Sequence, residues 1–524
     1  MNARNGLREA RVAVTGYECG YMVEVTYKKR RPTRQVLTLP AKREWKSAKS
    51  SLTTADWLRT GTTIDYDLRH GLETLRARAR VEAQNNDHVR HFLRLVRTNV
   101  VGPHGVRLQG RVRRRINGEQ DARANSAIEE AWTKWGKRGS ADVTGTRSWK
   151  GIQREAIETV ARDGEALWRR VTWDNGFGFT LQMMDPARLD VSYNKDLKDG
   201  RVIVMGVELD PWRRPVGYHF LEDDRDVNRG AYVVSTSERF RVPADEMYHM
   251  YMPEFAYQTR GAPWLATAML RLHMLRGYED AEVTASRIGA AKMGFYEREV
   301  GAGKYVGDAA DAAGNPIQDA RPGEFEILPE GWNFSGWNPD HPNAAYSDFV
   351  RACLRSIASG LGVNYNTLAN DLEGVNYTSL RHGMLTERDV WMLVQDWFVE
   401  SFCERIYNDW LFYALASNAI TDAGGKPLPR GRIDDFRRVV WQPRRWAWVD
   451  PLKESQARGM DYGLRTRSVS DMIREDGRDP EEVFAEIASE KETMEALGIA
   501  PMVGQQEQPT GEPDELDGND EAGP

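Results

Sequence analysis

Gln258-Thr259-Arg260-Gly261-Ala262-Pro263-Trp264-Leu265 is the point at which the periodicity of this chain changes. Pro263 stands where a first helical turn accepts proline. From there Leu265, Ala268, Met269, Leu272, Leu275, Ala281, Ala285 and Ile288 continue a single apolar stripe at helical spacing. At 1.5 Å per residue, Pro263 to Ala290 is expected to be a rod of ~40 Å, with Gly277 marking a bend or a close helix contact. Upstream the pattern is different. Leu167 to Trp173, Phe179 to Met184, Val202 to Leu209 and Tyr218 to Leu221 are short, β-rich and separated by Gly, Asp and Pro turns. Before them, a helical pattern starts at Asp67, with Leu68, Leu72, Leu75 and Ala79, continues through Val89, Phe92, Leu93 and Val96, and stops near Gly102-Pro103. Two further helices are expected over Ala127 to Trp135 and Trp149 to Ala161. The body is therefore α+β.

Downstream of the rod, 291–343 is rich in Gly and Pro and reads as a small β subdomain inserted between helices. Its expected strands are Met293, Gly294, Phe295 and Tyr296, and Glu324, Phe325, Glu326, Ile327 and Leu328. A second helix is expected from Ala344 to Ser359, then a Gly/Asn-rich loop over Gly360 to Tyr377. A long helix follows from Thr378 to about Leu415. Its stripe of Trp391, Val394, Phe398, Phe402, Ile406, Trp410 and Tyr413 is the pattern of a core-facing helix. A strand at Val439 to Trp441 leads into helices from Asp450 to about Leu497. The last stretch, Gln505 to Pro524, holds seven acidic residues and no basic one, and is expected to be disordered.

With 524 residues, 40% apolar and 29% charged, the chain can hold several ordered cores. Its formal charge of -6 excludes a polycation that coats DNA over its whole surface, so any DNA contact has to be local. Lys28, Lys29, Arg30, Arg31 and Arg34, after the apolar Tyr21 to Tyr27, read as a solvated hairpin loop or as a DNA-binding arm. Cys19, Cys353 and Cys403 are too few and too scattered for a disulfide framework or a zinc cluster, which points to a reducing compartment. No run of about 18 apolar residues and no signal-peptide core occurs, so neither membrane insertion nor secretion is expected.

Chemistry-bearing motifs are missing as well. Gly303-Lys304 is followed by Tyr305 and Gly425-Lys426 by Pro427, so neither offers the Ser or Thr that a phosphate-cradling loop uses to hold magnesium. His88 and His91 could touch one metal from a helix but lack a third ligand nearby, and read as surface or capping histidines. No Gly-x-Ser-x-Gly elbow or His-Glu-x-x-His pair is present. No catalytic residue, cofactor or metal site is expected.

What remains is an arrangement: two helices flanking an inserted β subdomain, a Gly/Asn loop and a very long helix. In order and spacing, the chain resembles the lambda-type portal proteins of tailed bacteriophages from Asp67 to about Glu490. The matching stretches are Leu75-Arg76-Ala77-Arg78-Ala79-Arg80, Asn85-Asn86, Asn99-Val100-Val101-Gly102 and Asp163-Gly164-Glu165-Ala166. They continue with Gly206-Val207-Glu208-Leu209-Asp210, Gly217-Tyr218-His219, Val242-Pro243-Ala244-Asp245, His249 and the opening stretch at Gln258 to Leu265. Ile357-Ala358-Ser359-Gly360-Leu361-Gly362-Val363 and Tyr377-Thr378-Ser379 complete the match.

The resemblance implies a homo-oligomeric ring, usually of twelve subunits, at one capsid vertex of the virion, assembled in the host cytoplasm. Double-stranded DNA enters through it during packaging and leaves on infection. It implies docking of the terminase motor and then of a head-to-tail adaptor, contact with major capsid and scaffolding proteins, and no membrane and no catalysis. By order, 61–262 would be the wing, 263–290 the first stem helix, 291–343 the clip and 344–359 the second stem helix. Residues 360–377 would hold the channel loop, 378–449 the long helix and return to the wing, and 450–500 the crown. The basic segment 1–60 and the tail 501–524 do not align. Within 360–377 the channel loop would be Asn370, Asp371, Leu372, Glu373, Gly374, Val375 and Asn376.

A pore that lets DNA slide has to avoid neutralising many phosphates, because each such contact releases counterions and favours sticking. Glu279, Asp280 and Glu282 of the first stem helix are the acidic residues expected to face the channel, with Asp371 and Glu373 in the loop. The alternative for each is an ordinary solvated helix face or turn. Arg271, Arg276 and Arg287 on the same helix are open to a neighbour's carboxylates or to phosphate. Two other classes stay open at this level, a monomeric DNA-binding protein and an enzyme outside the motifs considered.

Overall fold

The computed structural model describes residues 61–498, except 116–117, 223–238, 291–293, 299, 302–308, 311–315, 318–330, 337–344, 374, 447–450, 476–477 and 479. The basic segment 1–60, the acidic tail, Met293, Gly374 and the strand expected at Glu324, Phe325, Glu326, Ile327 and Leu328 lie outside the described residues. The chain divides into two units after Thr62, and the fold below is that of the second.

It opens with two helices, α1 (Ile64–Asn85) and α2 (Asp87–Val100), where the sequence pattern suggested one continuous run. Asn86 makes the break: its backbone is extended and its side chain accepts from the amides of His88 and Val89, capping α2. Strand β1 (Arg107–Gly110) leads to α3 (Ala122–Trp135) and α4 (Trp149–Asp163), the latter capped by Ser148 and closed by Gly164 in the left-handed region. Then come β2 (Ala166–Val171), β3 (Thr180–Met184), β4 (Lys195–Asp196), β5 (Val202–Val204), β6 (Val207–Leu209), β7 (Pro215–Leu221), β8 (Arg239–Pro243) and β9 (Met247–Met250). The run expected as one strand from Val202 to Leu209 is the hairpin β5–β6. Its two-residue turn, Met205-Gly206, has positive φ at both positions, as a tight hairpin turn requires.

These strands form two antiparallel sheets, β3-β2-β9 and the meander β4-β5-β6-β7-β8. Leu167, Met184, Val207, Tyr218, Phe220 and Met247 form a buried cluster that draws on both.

Helix α5 (Met269–Ala290) begins six residues later than Pro263, so the rod is 22 residues, ~33 Å. Residues Pro263 to Ala268 are spent on turns instead, because Trp264 is held by its amide to the Ala161 carbonyl at the end of α4 (3.1 Å). α5 runs unbroken through Gly277, whose Cα faces open space, so this glycine marks no close contact. Past α5, β10 (Gly294–Arg298), β11 (Ala309–Ala310), β12 (Pro316–Ile317) and β13 (Trp332–Gly336) form two small antiparallel pairs, β10-β13 and β11-β12. The strand that pairs with β10 is thus Trp332–Gly336, which the sequence reading did not single out.

Helix α6 (Tyr346–Leu361) ends on Gly362 with φ +69°. The segment expected as one loop contains a short helix, α7 (Tyr365–Ala369), before α8 (Tyr377–Phe398) starts. The long helix is continuous in path but has a π-helical turn at Val399–Cys403 before α9 (Glu404–Ala416). The chain closes with α10 (Ile433–Phe436), β14 (Val439–Gln442) paired antiparallel with β1, and α11 (Pro451–Gly463), α12 (Val469–Glu475) and α13 (Pro480–Ala496).

The main core is aromatic. Trp132 meets Trp135, Trp149 and Trp410 with ring centroids 4.7, 5.4 and 4.9 Å apart, and Tyr407 and Trp441 lie edge-on to it. The long-helix stripe supplies Trp391, Val394, Phe398, Phe402, Ile406 and Trp410, all buried, so its reading as a core face holds.

Candidate functional site

The site is approached through a buried charge cluster that fixes where α5 leaves the body. Glu165 follows Gly164 at the end of α4 and is fully buried. Arg260, also fully buried, donates from Nε to both Glu165 carboxylate oxygens (2.9 and 2.8 Å), and from Nη1 to the carbonyls of Met205 (2.6 Å) and Leu189 (3.2 Å). Arg76 of α1 donates from Nη2 to Glu165 (2.8 Å) and from Nη1 to the Pro186 carbonyl (2.9 Å). The imidazole Nε2 of His249 on β9 lies 2.9 Å from the other Glu165 oxygen.

Desolvation opposes charge on Glu165, but Arg260, His249 and Arg76 outweigh it and hold the carboxyl well below the usual range. Burial pushes His249 below the ordinary imidazole value despite its carboxylate partner. A second tier continues outward: Arg80 donates to Asp163 (2.9 Å) and Asp185 (2.6 Å), and Arg162 to Asp163 (2.8 Å). Backbone approach is equally tight, since a Cβ on Gly261 would lie 2.1 Å from the Gly164 carbonyl oxygen and one on Gly164 2.5 Å from Gly261 and Ala262.

Beyond this anchor, α5 and α6 pair through an aromatic contact, Tyr278 against Tyr346 (5.9 Å) and Phe349 (5.2 Å), and Thr267, in the turn before α5, donates from Oγ1 to the Gly360 carbonyl of α6 (3.1 Å). The three acidic residues expected to face a channel from α5 fare differently. Asp280 is exposed, Glu279 is half-buried and Glu282 is buried. Glu279 and Glu282 both act on the Tyr346 hydroxyl, which burial and these carboxylates raise above its ordinary value. Burial, Asp280 and Asp87 raise the Glu279 carboxyl in turn. A carboxylate turned toward α6 presents little charge to anything passing outside, so Asp280 is the one of the three that stands open. Arg276, expected to meet a neighbour's carboxylates or phosphate, lies 3.7 Å from the buried Glu82 of α1.

The loop Asn370 to Asn376 is held at both ends. Asn370 closes α7 in the left-handed region, and the Asn376 side chain accepts from the Thr378 amide to cap α8. In between, Asp371 accepts from the Tyr365 hydroxyl (2.7 Å) and from the Glu373 amide (3.0 Å). Arg351 of α6 reaches both loop carboxylates, Glu373 at 2.9 Å and Asp371 at 3.4 Å. The Tyr365 hydrogen bond, the amide and Arg351 hold the Asp371 carboxyl below the usual range. Leu372 and Glu373 project outward, and Val375 is half-buried. The loop therefore carries two negative charges with the guanidinium of Arg351 against both and that of Arg355 also acting on Asp371, which leaves it near charge balance rather than strongly negative.

Three residues that sequence reasoning did not assign to the loop position it. His91 Nε2 lies 2.9 Å from the Thr367 carbonyl. His88, whose pKa burial pushes down, neighbours the Leu368 backbone. Both histidines thus serve as props for α7. Glu387 of α8 is buried and accepts from the Asn364 amide (3.2 Å), Thr367 Oγ1 (3.0 Å) and Trp391 Nε1 (3.0 Å). The only trace of this in the sequence is the four-residue spacing of Glu387 and Trp391. Among the described residues no group of three or more His, Cys, Asp or Glu could hold a metal ion, and no helix is long and apolar enough to cross a membrane.

Comparison with known proteins places these features in a family. Residues 50–395 match the family model described as phage portal protein, lambda family. The probable portal protein of Halomonas phage phiHAP-1 is 34% identical over 499 residues, covering 93% of this chain and 94% of its own. Portal protein B of Escherichia phage lambda is 24% identical over 490 residues, covering 85% and 88%. Among solved structures, a chain from the neck of an empty GTA particle computed with C6 symmetry is 13% identical with a TM-score of 0.43, covering 78% of this chain and 95% of that one.

Proposed function

The chain belongs to the lambda family of phage portal proteins, and from that premise we propose that it closes into a ring, of twelve subunits, at one capsid vertex and conducts double-stranded DNA in packaging and in ejection. The family is a structural one, so no turnover is assigned to the chain.

The observation that carries the ring is the apolar surface left on the helices of the site. Leu270 and Met274, one turn apart on α5, are 72% and 66% exposed, Phe349 on α6 is 51% exposed and Leu393 on α8 is 72% exposed. A single chain gains nothing by showing water this much apolar surface on long helices, whereas neighbours around a ring would cover it. In this reading residues 61–262 are the wing, α5 and α6 the stem, 291–343 the clip, α8 and α9 the return through the wing, and α11 to α13 the crown. The loop Asn370 to Asn376 lines the channel, and Asp280 is the stem residue that faces DNA. The clip carries the terminase motor and afterwards the head-to-tail adaptor.

Native mass spectrometry of the purified protein tests the ring. A species near twelve times 59.6 kDa is expected, and a monomer persisting at micromolar concentration under every salt tried would refute it.

A further inference from the structure

A cavity of about 820 Å³ opens between α1, α2, α4 and β3. Six arginines line it, against the three carboxylates Glu158, Asp163 and Asp185. Four of the six are already answered within the chain: Arg80 and Arg162 by Asp163, Arg97 by Glu158, and Arg147 by Asp142 and Glu155. Arg90 and Arg94 differ. Both are exposed, they lie four residues apart on α2 and so share a face, and neither has an acidic partner among the described residues. The mouth of the cleft thus presents two uncommitted guanidiniums above a network whose own carboxylates are taken.

The matching charge is at the end of the same chain. Residues 505–524 hold seven acidic residues and no basic one, so the remaining 504 residues carry +1 although the whole carries -6. We propose that the arginine cleft is the docking site of this acidic C-terminal segment, brought by its own copy or by a neighbouring one.

Twenty-six residues follow Gly498, and they span up to ~90 Å when extended. Tethering raises the local concentration of the segment to the millimolar range, so a modest intrinsic affinity suffices. Carboxylates can pair with each guanidinium in a two-pronged, charge-assisted contact. A DNA duplex fits less well, because its binding depends on neutralising many phosphates along a line and, among the described residues, the cleft offers two free cations over one helical turn. Neither the cleft nor the tail enters the argument for the ring, so this inference stands or falls separately from the portal reading.

The test uses the full-length chain and a full-length variant in which all seven tail carboxylates are replaced by amides. A fluorescein-labelled peptide of residues 505–524 is titrated into each at low salt and followed by anisotropy. The amide variant, its cleft vacant, is expected to bind the peptide about tenfold more tightly than the wild type, where the native tail competes. Adding R90E and R94E to the amide variant should abolish binding, and R90K with R94K should retain most of it. Because both arginines are exposed, thermal unfolding should not change; R90Q with R94Q repeats the test if it does. Equal peptide binding by wild type and amide variant, or binding indifferent to Arg90 and Arg94, overturns the proposal. So does a duplex oligonucleotide that binds wild type through Arg90 and Arg94 and is not displaced by the peptide, which would assign the cleft to nucleic acid.

Discussion

At the scale of single residues, the stretches on which the family resemblance rests turn out to be fastenings of the fold. Arg76, Asp163, Gly164, Glu165, His249, Arg260 and Gly261 come from four separate places in the sequence and meet in one buried cluster. Gly102, at φ +71°, lets the chain pass the Arg444 side chain, and Asn99 accepts from Arg444 and Trp446. Removing one member of a buried, hydrogen-bonded ion cluster strands the others, typically at about 3–5 kcal/mol. Arg260→Ala should therefore destabilise the α+β body by that order and lower soluble yield, as read by thermal unfolding beside the wild type; an unchanged midpoint would mean that the cluster contributes little. Acid should act at the same place. The folded pKa of His249 lies below its unfolded value near 6.5, so its contribution is complete above that pH and is lost as pH falls through the depressed folded value. Glu165 behaves likewise below its ordinary value of 4.5. Stability should thus decline as pH drops below about 6.5, and His249→Gln should flatten the upper part of that decline in a pH series of unfolding midpoints.

Elements were legible to differing degrees, for physical reasons. The long helix was plain in the sequence because its buried stripe, Trp391 to Trp410, repeats over more than five turns, and the π-helical turn at Val399–Cys403 shifts that stripe without interrupting it. The start of α5 was not, since Pro263 satisfies the local rule for a helix start while Arg260 and Trp264 are tied to the far side of the body. α7 escaped notice because five residues are too few to show a period, and what holds it, His91 and Glu387, comes from elsewhere in the chain. The acidic residues of α5 could be found but not oriented, because only packing against α6 decides that Glu282 turns inward.

The loop carries the prediction that belongs to this scale. Changing Asp371 and Glu373 to Lys removes both carboxylates that Arg351 reaches and sets two ammoniums beside Arg351 and Arg355, an attraction for phosphate that salt screens over ~8 Å at physiological strength. Rings should form normally, while packaging or ejection becomes slower and unusually salt-dependent. DNA transit unchanged across a salt series would remove the loop from the channel, and failure to assemble would make it a structural turn. For the clip, deleting 301–322 should abolish motor docking while leaving the wing folded; intact docking would refute that assignment.

The whole molecule brings these levels together. A buried charge cluster in the α+β body sets the exit of α5, α5 and α6 pair through Tyr278, Tyr346 and Phe349, and Arg351 on α6 holds the loop that leads into the long helix. The chain thus has one mechanical line from body to loop, and the exposed apolar residues along it are what neighbours would cover. The most direct test is a cryo-electron microscopy reconstruction of the purified assembly without imposed symmetry. The expected result is a closed ring in which Asn370 to Asn376 of every subunit converge on the narrowest part of an open axial channel wide enough for duplex DNA. A ring with these loops on its outer wall, or particles with no axial channel, would contradict it.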